Sequence, residues 1–436
     1  MTAAPFHLGW FLNFIADEWN DTWGSGGMPW NGKFYVEMAQ HLERAGFDYM
    51  ILEDKCHVSD VYGGTMEMEL KHGNVPKHDP VPLATLLAYS TTRLGIVPTM
   101  STSFYPPWLL ARLAATIDHI AEGRFGWNIV TSAEDQAAQN FGMDKLYEHD
   151  LRYEMADEYL DLVTQLWDSW DSDAVVRDAE SSMYADHRRV RTIDFEGRFY
   201  KSRGPLNTMR PVQGRPVLCQ AGSSPKGRAF AAKYADTVIA ISHTPAVMKA
   251  FRDDIRERLR GAGRKPDDCK VLFIASPIVA DTEAEAWEKQ ARWVSDPNYL
   301  ESRLAGLSSV TEIDFSQFDV DEPVGALTTN GERGALEHFL GSDRTKTLRE
   351  LMLPPERGAD TDAPPLVGTP DQVADRMGEV MDEVGGDGFL IISPVMRLNR
   401  RYIVEITDGL VPALQRRGLA RTEYTYEQFR DNLLEF

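Results

Sequence analysis

The chain of 436 residues has only three cysteines, Cys56, Cys219 and Cys269. They are odd in number and far apart, which argues against a disulfide framework and against a thiolate zinc site, and fits a reducing compartment. No apolar run reaches the length needed to span a bilayer. The opening residues, "MTAAPFHLGW", lack the basic start and long apolar core of a signal peptide, so the cytoplasm is the expected location. Positive charge is scarce: 46 Lys and Arg stand against 67 Asp and Glu, a formal net charge of −21. Such a surface repels nucleic acid and anionic membrane, because binding phosphate backbones needs a cationic stripe. A single anionic ligand can still be held in a locally positive pocket. Internal repeats and low-complexity tracts are missing as well. What remains is the composition of a globule, 43% hydrophobic and 26% charged, with expected partners limited to small molecules and other proteins.

Apolar strand-like runs alternate with amphipathic helices along most of the chain. The runs lie at 7–13, 48–54, 93–103, 124–132, 215–224, 237–243, 270–280 and 387–395, each followed by a helical pattern. Parallel strands buried on both faces read as continuous apolar segments. Eight strand–helix units point to an α/β fold of the (β/α)8 TIM-barrel type more than to an open doubly wound sheet. The whole of 1–436 is expected to form one such domain. Several connections exceed what a simple loop needs: 14–33 with three Trp, 55–80 with His57, His72 and His78, the excursion 171–214, and an acidic insertion at 282–366. Long loops in a compact domain are usually functional, and in a barrel the first two belong to the C-terminal face where active sites are built. His72 and His78 have no third ligand at a fixed spacing, so no metal site is expected. Cys56 has no supporting residues that would make it reactive. The tail "RTEYTYEQFRDNLLEF" reads as a short terminal helix that packs or mediates association.

Polar residues cluster at the ends of the strand-like runs: Glu53 and Asp54, Ser101 to Ser103, Asn128 with Thr131 and Ser132, Gly222 to Ser224, and Ser242 with His243. Each taken singly reads as a helix cap. Five sets at one end of a barrel read as the lining of a polar pocket. The segment "GSSPKG" adds two hydroxyls and a helix start at Pro225 with open N–H groups, a suitable seat for a phosphate. In "EHDLRYEMADEYLDLVTQLW" (148–167), His149 and Tyr153 are four apart, on one side of the same helix start. Together with Ser223 and Ser224 they form a candidate clamp for one phosphate, which suggests a mononucleotide such as FMN.

The stretches "ARLAATIDHIAEGRFGWNIVTS", "NFGM", "EHDLRYEMADEYL", "GPLNTMRPVQGRPVLCQAGSSPKGRAFAAKYAD" and "DGFLIISP" resemble the bacterial-luciferase-like flavin monooxygenases, in the branch of nitrilotriacetate and dibenzothiophene-sulfone monooxygenases. The resemblance runs across nearly the whole chain. It implies a TIM-type barrel that oxidises a small organic substrate with reduced FMN and O2 through a flavin peroxide. The FMNH2 would come from a separate NAD(P)H-dependent flavin reductase, and the oxygenase would be a homodimer or homotetramer. Matched to the family motifs, Asp54, Ser103, His149, Tyr153, Ser223 and Ser224 correspond to flavin-contacting positions, with Ser101 beside them. Asn128 corresponds to a polar strand residue next to the flavin. His57 and His243, at the rim after the second and sixth strands, are candidates for the acid or hydrogen-bond donor in catalysis, as is Asn128. The aromatic loops favour a flat or apolar substrate over a polyanion, though Arg203 and Arg210 offer some positive charge. Two alternatives stay open: a flavin- or deazaflavin-dependent dehydrogenase on the same barrel, and a non-catalytic flavin-binding protein.

Overall fold

The computed structural model describes residues 4–12, 30–72, 75–242, 244–341, 345–359, 365–394 and 399–436. Eight parallel strands close into a barrel: β1 (His7–Leu12), β2 (Tyr49–Leu52), β3 (Gly95–Ser101), β4 (Gly126–Val130), β5 (Val217–Gln220), β6 (Thr237–Ala240), β7 (Lys270–Ala275) and β8 (Gly388–Ile391). Each pairs with its neighbours in sequence, and β8 closes the ring against β1, with His7 opposite Gly388 and Trp10 opposite Ile391. Every apolar run singled out in the sequence holds one barrel strand.

Helices pack around this cylinder: α1 (Lys33–Ala45), α2 (Pro80–Ser90), α3 (Pro107–Ile120), α4 (His149–Trp167), α5 (Pro225–Tyr234), α6 (Pro245–Gly261) and α7 (Pro370–Val384). Three joined helical segments, Arg400–Val404, Glu405–Leu410 and Val411–Arg416, complete the layer. Five of these helices open on a proline, whose fixed φ suits a first turn that has no use for its N–H. Asp79, Ser224, Thr244 and Thr369 cap four of them through side-chain oxygens. Helix starts therefore fall at the C-terminal rim of the barrel, next to the strand ends.

Inside the barrel, Tyr49, Ile51, Val97, Val217, Cys219, Ile239, Leu272 and Leu390 form a sealed core. Its lower end is closed by the short helix Phe429–Leu433, whose Phe429 and Leu433 are fully buried. Gly95 makes room for that plug: a Cβ there would lie 2.7 Å from the Phe429 ring. Buried ion pairs lock the segment in place, with Arg421 Nη2 2.5 Å from Asp48 Oδ1 and His7 Nδ1 2.9 Å from the same oxygen. The terminal helix thus packs into its own barrel.

Between β7 and β8 the chain leaves the barrel. A short parallel pair, Ile278–Val279 with Val367–Gly368, pinches the base of this excursion. Its helices Tyr299–Thr311, Arg333–Leu340 and Leu348–Met352 share a small core of Leu304, Phe315, Val324, Leu336, Leu340, Leu348 and Met352, while Glu283–Val294 packs Ala286 and Trp287 on the parallel pair. Tyr62, from the loop after β2, packs against it. The excursion 171–214 follows α4 and carries the hairpins Val175–Asp178 with Met183–Ala185 and Phe195–Glu196 with Lys201–Ser202. It begins at the end of α4, far from the catalytic rim. Residues 14–29 of the first aromatic loop, and His243, lie outside the described residues.

Candidate active site

The first turn of α4 and the start of α5 meet at the rim. Tyr153 and His149 stand with ring centroids 5.1 Å apart. A Cβ at Gly227 would lie 2.8 Å from the Tyr153 hydroxyl, so glycine there lets the phenol reach the α5 start. Gln220, at the end of β5, donates to that hydroxyl at 3.4 Å and accepts from Gly222 N at 2.7 Å. Ser224 Oγ accepts from Gly227 N at 3.0 Å as the α5 cap, which leaves its own proton to donate. Burial pushes the Tyr153 pKa up, so its hydroxyl keeps its proton and remains a donor. His149 Nδ1 lies 2.8 Å from Asp150 Oδ1, while burial and the nearby Arg333 and Arg152 lower the imidazole pKa. The proposed clamp residues His149, Tyr153, Ser223 and Ser224 therefore fall in one place.

Arg152 joins them, a residue the sequence pattern left out of the site. It is 2% exposed, donates only to the Tyr147 and Asn330 carbonyls, and leaves Nε without a partner. Among the described residues no carboxylate lies within ion-pair distance of it. Glu134 and Glu312 act on it only from beyond contact, and a buried guanidinium with an unpartnered N–H is best satisfied by an oxyanion. Arg152 sits between His149 and Tyr153 on one helical turn, which is the one signal that pointed to it.

On the β2–β4 side of the same mouth lies a cavity of about 450 Å³. One wall is apolar: Phe104 stacks on Phe141 at 4.3 Å, with Tyr105 and Leu109 beside them. The other wall carries Asp54, Lys55, Cys56, Lys77 and Asp79. Both lysines are spent on glutamates, Lys77 on Glu53 at 2.5 Å and Lys55 on Glu69 at 2.6 Å. Asp54 accepts from the Cys56 thiol at 3.3 Å, and burial raises its pKa. Burial also drives the Cys56 thiol far up, so it is no nucleophile at neutral pH.

The hydroxyls of the third strand end are already engaged. Ser101 Oγ pairs with Ser132 Oγ at 2.7 Å, and Ser103 Oγ donates to the Thr131 carbonyl at 2.8 Å. Both oxygens retain acceptor capacity toward the mouth. Asn128, 4% exposed inside β4, donates to Thr99 Oγ1 at 2.8 Å and leaves its Oδ1 without a donor. His57 turns away from the cavity. It is buried under the insertion, with Nε2 3.4 Å from Ser309 Oγ, and burial with Lys55 and Lys77 lowers its pKa to about 3. The lowered pKa keeps the imidazole neutral, which disfavours a strong acid but leaves one ring N–H for the hydrogen-bond-donor role. Arg210 is remote from the mouth, pairing with Asp168 just past the far end of α4, and the Arg203 carbonyl ties down the excursion through Ile193 N.

The insertion roofs the mouth from two sides. On the β2 side Lys71 pairs with Glu301 at 3.3 Å and Gly63 N donates to Asp314 Oδ1 at 3.0 Å. On the α4 side Asp135 N donates to Glu312 Oε1 at 2.5 Å and His149 N to Asn330 Oδ1 at 3.2 Å. Glu332 of the insertion faces Glu134 and Glu53 of the barrel, and burial with their repulsion raises its pKa to about 8.

The sequence profile of the family described as luciferase-like monooxygenase matches residues 7–388. The chain belongs to the luciferase-like monooxygenases. This luciferase-like monooxygenase is 36% identical to dibenzothiophene-sulfone monooxygenase of Rhodococcus erythropolis over 410 residues, 92% of this chain and 90% of that protein. It is 35% identical to nitrilotriacetate monooxygenase component A of Aminobacter aminovorans, over 92% of this chain and 89% of that one. Among solved structures, riboflavin lyase, determined with a modified FMN and riboflavin, superposes with a TM-score of 0.88 at 30% identity, covering 99% of this chain and 96% of that one. The barrel with its insertion is thus the architecture of an oxidoreductase family.

Proposed function

We propose that the protein is the oxygenase component of a two-component system, using reduced FMN and O2 to insert oxygen into a flat, apolar small molecule. The observation that carries the cofactor is Arg152, a buried cation with an unpartnered Nε and no carboxylate in ion-pair contact among the described residues, set among His149, Tyr153, Ser223 and Ser224 at two helix starts. These are phosphate-binding groups in a protein that is otherwise strongly acidic. The orphaned Asn128 Oδ1 adds a buried acceptor for a ring N–H. When bound, reduced flavin supplies the electrons that activate O2. The relative named component A supports a separate reductase as the source of that flavin.

The chain's own residues bind, orient and exclude water. Tyr153, Ser223, Ser224 and Arg152 hold the phosphate end; Asp54, Ser101, Ser103 and Asn128 present acceptors on the other side of the mouth. The insertion keeps bulk water from the reacting centre. His57 acts as a positioning residue, coupling the loop after β2 to the helix Tyr299–Thr311. For the substrate, the stacked Phe104 and Phe141 favour a flat apolar body, and the pairing of Lys55 and Lys77 with glutamates leaves no free lysine among the described residues of this wall for a polyanion. Homo-oligomer formation is supported by Leu86 and Tyr89 on α2 and Ile120 on α3, all exposed.

The test combines the protein with a flavin reductase, NADH, FMN and isotopically labelled O2 over a substrate panel. Product carrying labelled oxygen is expected. Oxidised product without label would instead favour the dehydrogenase, and flavin binding without turnover of any substrate would favour a binding protein.

A further inference from the structure

The phosphate groups described so far all come from the barrel, yet the insertion reaches the same spot with residues 330–334. Asn330 accepts from His149 N through Oδ1 and from Arg152 Nη2 through its carbonyl. The helix Arg333–Leu340 then begins directly against Ser223, so closely that a Cβ at Gly334 would overlap the Ser223 hydroxyl. Its first N–H groups, lacking partners within the helix, stand opposite the start of α5. The Arg333 guanidinium bonds only to the Thr329 carbonyl, at 3.2 Å, and has no carboxylate partner among the described residues. Its charge is felt by both His149 and Arg152. Two cations with no carboxylate in ion-pair contact among the described residues and two helix starts thus converge from separate parts of the chain. The repulsion among them opposes docking of the insertion unless an anion lies between.

We propose that Arg333 and the Gly334 helix start form the outer wall of the phosphate cradle, so that binding of the FMN phosphate and docking of the insertion are one linked event. This rests on the cofactor reading above and adds the insertion as a ligand-binding element. Glu332, next in the same segment, is kept largely protonated at neutral pH by burial and by Glu134 and Glu53, so it does not oppose a phosphate with full charge. Linkage then requires that the phosphate stabilise the docked insertion by as much as docking tightens the phosphate.

Oxidised FMN and riboflavin, which lacks the phosphate, are titrated against the wild-type chain, Arg333→Ala and Gly334→Ala. Amide hydrogen exchange of residues 299–340 is followed alongside. Wild-type protein is expected to bind FMN about tenfold or more tighter than riboflavin, and FMN alone should slow exchange in the insertion. Each variant should lose about tenfold in FMN affinity and lose that protection. Its riboflavin affinity should stay at the wild-type value, which also reports that the variant is folded. Wild-type FMN affinity in both variants, or equal protection by riboflavin, overturns this proposal alone. A wild-type chain that binds neither flavin overturns the cofactor reading and this proposal with it.

Discussion

Tyr153 is useful to a phosphate only as a hydroxyl, and burial keeps it one. Tyr153→Phe removes the donor while sparing the ring packed against Phe230. Ser223→Ala does the same for the second donor. A hydrogen bond to a charged group is worth about 1.5–3 kcal/mol, so each change should weaken FMN binding about tenfold or more, with the double variant worse. Unchanged flavin affinity in both single variants, measured by fluorescence titration, would remove the phosphate assignment. Glu332 gives a second residue-scale expectation. Its side chain is open to the mouth, yet protein surrounds it, and its pKa rises from 4.5 to about 8. A carboxyl with a raised folded pKa adds stability in full below about 4.5 and none above about 8. Melting curves across that window should therefore show wild type losing more stability with rising pH than Glu332→Gln; parallel slopes would refute the shift. His57→Ala bears on the acid role. If the residue only positions, the variant loosens the helix Tyr299–Thr311 in hydrogen exchange and leaves the limbs of the kcat pH profile unmoved. Loss of a limb would restore His57 as a proton donor.

At the scale of elements, the insertion is the segment whose removal should separate binding from coupling. Joining its base directly, across the pair Ile278–Val279 and Val367–Gly368, leaves the barrel strands untouched. The shortened enzyme should still consume NADH with its reductase but divert more of the flux to hydrogen peroxide, because water now reaches the mouth. A product-to-peroxide ratio equal to wild type would assign the insertion some other role. The barrel itself was legible in the sequence for a definite reason. Strands such as "YMIL" and "VLCQ" are buried on both faces, and the helices after them announce themselves with Pro80, Pro107, Pro225, Pro245 and Pro370. His149, Tyr153, Ser223 and Ser224 were legible because helix starts fall at one rim of this fold. Arg152 was not, since its meaning lies in the carboxylate it lacks, and partners distant in the chain leave no local pattern. The same holds for His57, whose covering residue Ser309 is 252 positions away.

For the molecule as a whole, the plug decides stability. Phe429 is fully buried against Gly95 and Gly126, and removing a buried Phe side chain typically costs about 3–5 kcal/mol. Phe429→Ala should lower the melting temperature by several degrees while the rim, at the other end of the barrel, keeps its FMN affinity. A variant that melts like wild type would mean the lower end of the barrel repacks without it. The last consequence comes from the cation pair of Arg152 and Arg333 inside a shell of net charge −21. An incoming flavin phosphate meets two fields of opposite sign, a repulsive one at long range and an attractive one at contact. Salt screens the first over distances of about 10 Å at moderate ionic strength and reaches the enclosed second far less. Added salt should therefore quicken capture of the cofactor and only modestly loosen its hold. Flavin uptake would then be faster at high ionic strength than in dilute buffer, the reverse of a simple charge-steered encounter.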